Sequence, residues 1–86
     1  MELREAAERE VERIKLIEKE LKVVNKKGQR LYELFKSYAK DCEHFLKEGK
    51  YLEAFEAAVI SWAYVDAGLN LGLFSIPEKL RRLFTV

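Results

Sequence analysis

The chain predicts an all-α fold, an antiparallel three-helix bundle closed by a short C-terminal fourth helix. Three observations carry that expectation. Apolar residues recur at steps of three and four through successive stretches, the spacing of one helical face. Four Gly and one Pro in 86 residues leave few breakers, too few for a many-turned β-sandwich. Asn25-Lys26-Lys27-Gly28 and Gly49 fall between the first three periodic stretches, so the links there are short. At this length one core is the limit, and the whole of 1–86 reads as one domain.

The first helix is expected over 2–24. Leu3, Ala7, Val11, Ile14, Ile17, Leu21 and Val24 form its stripe, and Glu5–Arg9, Glu12–Lys15 and Glu18–Lys22 stand at ion-pair spacing on its outer faces. Asn25-Lys26-Lys27-Gly28 has the composition of a helix end running into a connection. A second helix over 29–48 presents Leu31, Leu34, Phe35, Tyr38, Cys42, Phe45 and Leu46. Gly49 supplies the left-handed geometry that closes it, and the link that follows is short enough to make helices two and three antiparallel neighbours.

The third helix, expected over 51–73, is the most informative. From Ala57 to Pro77 the only charged residue is Asp66. A helix apolar on so many sides is enclosed by its neighbours, crosses a membrane, or has a face covered by another molecule. A central Asp, with Ser61 and Asn70 nearby, opposes insertion into lipid by about 3 kcal/mol, so no membrane span is expected. Two seams, Ala57-Ile60-Tyr64-Ala67-Leu71-Phe74 and Ser61-Val65-Gly68-Gly72, imply two packed sides. Ser75-Ile76-Pro77-Glu78 matches a capping box, which predicts a fourth helix over 76–84. Its Leu80, Leu83 and Phe84 return to the core, and Glu78 pairs with Arg82.

Charge and cysteine content narrow the function classes. Sixteen Lys and Arg against fifteen Asp and Glu give +1, which provides no bulk field for nucleic acid or anionic lipid. The basic clusters Lys26-Lys27-Arg30 and Lys79-Arg81-Arg82 are short and read as helix-end cations facing the macrodipole, so nucleic acid is disfavoured as a partner. A lone Cys42 permits no intrachain disulfide, and the charged start of the chain lacks the apolar centre of an export signal. Both point to a reducing, cytoplasmic setting. The wealth of Glu, Lys and Arg agrees with a heat-loving source.

Residues that could carry chemistry are sparse. Cys42 and His44 lie two apart on a helix and point about 200° from each other, so they do not form a nucleophile–base pair. His44 is also the only histidine, so a triad or a histidine metal site would need another molecule. Asp66 shares a helix face with Trp62 and Asn70, each four residues away. With Tyr64 these form the candidate contact for a ligand or partner. The competing structural reading has Asp66 buried and hydrogen-bonded to a tyrosine, lysine or arginine of a neighbouring helix. Gly68 and Gly72, one turn apart, are read as sites of close helix packing. No strand precedes them, as a phosphate loop would require.

Gly49-Lys50-Tyr51-Leu52-Glu53-Ala54, then Ala58, Ser61-Trp62-Ala63-Tyr64 and Asp66-Ala67-Gly68-Leu69-Asn70-Leu71-Gly72, resemble a small archaeal family catalogued as domain of unknown function 357. The likeness covers most of helices two and three. It implies a short all-helical protein of archaeal, cytoplasmic origin, and it brings no reaction, ligand or catalytic residue. The Gly-x-Tyr-x-x-Ala opening also resembles tetratricopeptide and other helical-hairpin domains. Nucleotidyltransferase-associated helical domains are similar in outline, but their arginine-to-histidine ribonuclease motif has no match around His44. The expected role is non-catalytic: a module that binds protein, either a second copy or another chain, with no cofactor and no metal. A small-molecule or enzymatic site around Asp66, and weak nucleic-acid binding through the basic helix ends, are the alternatives.

Overall fold

The computed structural model describes residues 2–83. Helix α1 (Leu3–Glu20), α2 (Gln29–Lys47) and α3 (Tyr51–Asn70) pack against one another, and a short α4 (Glu78–Arg81) follows. The buried stripe of α1 is Ala6, Ala7, Val11, Ile14 and Ile17, and Leu21 continues it just past the helix end. On α2 the fully buried residues are Phe35, Ala39 and Cys42, with Leu31, Leu34, Tyr38, Phe45 and Leu46 half-buried around them.

Two short segments depart from the helical expectation. α1 ends at Glu20 because Leu21 is already extended, and Lys22–Val23 (β1) pairs antiparallel with Phe74–Ser75 (β2), Lys22 opposite Ser75 and Val23 opposite Phe74. The Val24 amide donates to the Leu73 carbonyl at 2.9 Å, so the same ribbon satisfies backbone that a longer helix would have used. Two successive β-branched residues favour that exchange. Asn25 therefore starts a structure and does not end one: its Oδ1 accepts from the Lys27 amide at 2.9 Å and caps a single 3₁₀ turn, Lys26–Gly28. Lys26 and Lys27 accordingly precede α2 and do not face the C-terminus of α1.

α2 and α3 end alike. Gly49 (φ 75°) and Gly72 (φ 71°) are the left-handed residues of Schellman motifs. In the first, the amides of Gly49 and Lys50 donate to the carbonyls of Leu46 and Phe45 at 3.0 and 2.9 Å. In the second, those of Gly72 and Leu73 donate to Leu69 and Gly68 at 3.2 and 2.8 Å. The second motif stops α3 at Asn70, short of the expected residue 73. The predicted capping box does not form, because Ser75 belongs to β2; the cap position is Pro77, and no side chain caps the helix. Leu80 is buried and Leu83 half-buried, as expected, while Glu78 pairs with Arg81 (3.9 Å). Phe84 lies outside the described residues.

The α1 charges also resolve differently from the sequence spacing. Lys15 reaches Glu43 of α2 at 3.8 Å, and Glu18 accepts Lys36 of α2 at 3.3 Å, so these ion pairs tie helix to helix. Lys22, placed in β1, is off the helix that would have paired it with Glu18.

Candidate functional site

α3 is not enclosed all round. Its buried side consists of Ala54, Ala57, Ala58, Ser61, Val65 and Gly68, none larger than valine. Small side chains let α1 and α2 approach closely, and the buried Ser61 hydroxyl is satisfied by donating to the Phe35 carbonyl of α2 at 3.2 Å. Three apolar residues face outward instead: Leu52, Val59 and Ile60 are 54, 48 and 40% exposed, with exposed Ala63 one turn on from Val59. Of the two expected seams, Ser61-Val65-Gly68 is buried as predicted. Ile60 and Leu71 of the other are exposed, and Phe74 lies beyond the helix.

The four candidate contact residues do not form one enclosed cluster. Asp66 is exposed, and its partner is Asn70 of its own helix, whose Nδ2 donates to the Asp66 carboxylate at 3.2 Å and to its carbonyl at 2.8 Å. The expected buried bond to a neighbouring helix is therefore absent, because the outward side of α3 carries Asp66 into solvent. Trp62 is half-buried and packs on the core. Tyr64 turns toward α2 and stacks on Tyr38, with ring centroids 5.8 Å apart and planes at 22°.

The two glycines behave differently. A Cβ on Gly68 would collide with the Phe74 ring, so what packs closely on this helix is the aromatic side chain of the returning strand. Gly72 is exposed, a Cβ there would touch nothing, and its role is the left-handed turn alone. Cys42 is fully buried and its Sγ donates to the Ala39 carbonyl at 3.1 Å. Burial, reinforced by the Glu43 and Glu18 carboxylates, pushes its thiol up to about 12, the opposite of an activated nucleophile. His44 is exposed and lies 3.4 Å from Glu48. Among the described residues no three His, Cys, Asp or Glu gather as a metal site, and no helix is long and apolar enough to cross a membrane.

A groove of about 270 Å³ lies where α2 meets the first half of α3. Tyr38, Phe45, Ala57 and Ile60 supply its apolar lining, and Asp41, Glu53 and Glu56 its carboxylates. Sequence reasoning did not single out this groove. The available signal was that Leu52, Val59 and Ile60 fall off the small-residue stripe, on a helix that carries acids but no cation.

The family model of DUF357, proteins of unknown function, matches residues 4–74. The chain belongs to the DUF357 family. The crystal structure of a DUF357 protein from Archaeoglobus fulgidus is similar to it at 29% identity, with a TM-score of 0.72 over 87% of this chain and 93% of that one. No curated protein matches the sequence. The match runs from Arg4 in α1 to Phe74, the first residue of β2, and so takes in the three long helices.

Proposed function

We propose that this DUF357 protein is a non-catalytic protein-binding module whose contact surface is the outward side of α3. One observation carries the reading. Leu52, Val59 and Ile60 stand about half exposed on a helix whose fully buried positions are small, alanine, serine, glycine and one valine, so these three apolar side chains lie in water without an intramolecular partner surface. Burying those three against a partner would recover apolar area that the intramolecular core leaves in water, at roughly 25 cal/mol per Å². The buried neutral thiol of Cys42 and the surface position of His44 supply no reacting group to set against this reading. A reducing, cytoplasmic setting accords with the single buried cysteine, and kinship with the Archaeoglobus fulgidus protein accords with an archaeal source.

The test is a double substitution, V59S/I60S, in the full chain. Both sites are partly exposed, so the circular dichroism spectrum should be retained. The wild-type chain, tagged in its host, should hold a stoichiometric protein partner, or a second copy by sedimentation, and the variant should lose it. A wild-type chain that stays monomeric and retains nothing, or a variant that retains the same partner, would overturn the proposal.

A further inference from the structure

We infer that the groove between α2 and α3 receives a basic amphipathic helix from a different protein, its apolar side chains resting on Tyr38, Phe45 and Ile60 and its Lys or Arg side chains among Asp41, Glu53 and Glu56. This deepens the reading above and rests on it.

Charge selects the occupant. On α1 and α2 several carboxylates are matched internally, Glu8 with Arg4, Glu10 with Arg13, Glu18 with Lys36, Glu43 with Lys15 and Glu48 with Lys50, whereas the three that converge on this groove are not. None of the ion pairs formed among the described residues takes up Asp41, Glu53 or Glu56. The neighbouring cation is Lys50, which lies 6.0 Å from the centre of the Phe45 ring but is paired with Glu48 at 3.5 Å. From Tyr51 to Glu78 the chain contains no Lys, Arg or His at all. An apolar floor with an unmatched acidic rim is complementary to a helix with a greasy stripe flanked by cations, and docking a carboxylate-bearing surface there would bring like charges together as water leaves.

The same arithmetic argues against a second copy of this chain. A two-fold contact through α3 is self-complementary in position, so it sets Glu53, Glu56 and Asp66 against one another with no cation on either helix to offset them. Size argues against a small organic ligand. The groove, at about 270 Å³, falls just below the ~300–1,000 Å³ of typical ligand pockets. It suits two or three side chains projecting from a helix.

The probe is a pair of fluorescent 18-residue peptides with the same leucine stripe, one carrying lysines on its flanks and the other glutamates. Full-length protein should bind the lysine peptide, and affinity should fall at least tenfold between 50 and 300 mM salt. The glutamate peptide should not bind. D41N/E53Q/E56Q should weaken the lysine peptide tenfold or more, while E20Q/E33Q/E78Q, at the other end of the bundle, should change it less than twofold. Equal binding of the two peptides, or equal loss in the two triple variants, would overturn the inference, as would a V59S/I60S-sensitive homodimer. Should V59S/I60S release a native partner that D41N/E53Q/E56Q still holds, the protein-binding role stands and the basic-helix assignment falls.

Discussion

Gly68 and Gly72 are one helical turn apart and each excludes a side chain for a separate reason, which makes them separable by substitution. At Gly68 the obstacle is the Phe74 ring, so Gly68→Ala is expected to cost about 1–3 kcal/mol through forced repacking. At Gly72 the obstacle is backbone conformation, so Gly72→Ala should cost about 1–2 kcal/mol, and Gly72→Asn, which tolerates the left-handed region, should recover much of it. Urea unfolding of the four Ala and Asn variants checks both statements; Asn at 68 should be worse than Ala. Cys42 sets a pH dependence. Its thiol titrates near 9 in an unfolded chain and is held up to about 12 in the fold. Below pH 9 it is protonated in both states, and between 9 and 12 only the unfolded chain releases the proton, so stability falls as pH rises through that window. Lys36, raised by its hydrogen bond to Glu18 and then by Tyr32, adds a loss of the same sign that sets in above its ordinary 10.5. Unfolding free energies at pH 8 and pH 10 should therefore diverge for the wild type, and Cys42→Ala should show a smaller difference between the two pH values.

At the scale of elements, α3 and the β1–β2 ribbon are joined through one side chain. Phe74 is 3% exposed, seated on Gly68 and edge-on to Tyr32 at 6.4 Å, so it fastens the strand to the top of the bundle. Phe74→Ala should cost about 3–5 kcal/mol, measured by chemical denaturation, and amide exchange should show Val24 losing protection along with it. The helices themselves were legible before any coordinates: the stripe of α1, the stripe of α2 and the Gly49 stop are plain in the residue spacing. What was not legible has identifiable causes. Two paired residues per strand are too few for a period-two pattern to stand out. α3 is apolar on most sides, so its large residues mark no inner direction, and the informative pattern was the spacing of the small ones, Ala54, Ala57, Ala58, Ser61, Val65 and Gly68. Asp66 was legible as an oddity in an apolar run but not as a surface residue, because its exposure follows from that same reversed orientation. The groove depends on Tyr38 and Asp41 meeting Glu53 and Ile60 across a hairpin, a pairing no local spacing encodes.

The molecule as a whole, 36 × 24 × 19 Å, is charged unevenly despite its net +1. α1 and α2 carry both signs and cross-link through Lys15–Glu43 and Glu18–Lys36, while α3 contributes acids alone. α3 therefore packs on both other helices through its inner side while its outer side carries charge of one sign. The diminutive inner side of α3 has a bearing on how such a protein can change over time. Enlarging any of those positions would wedge the bundle apart, whereas the outward ones can be rewritten at little cost to folding. Among homologues, then, the hidden half of this helix should stay frozen in size while the visible half drifts.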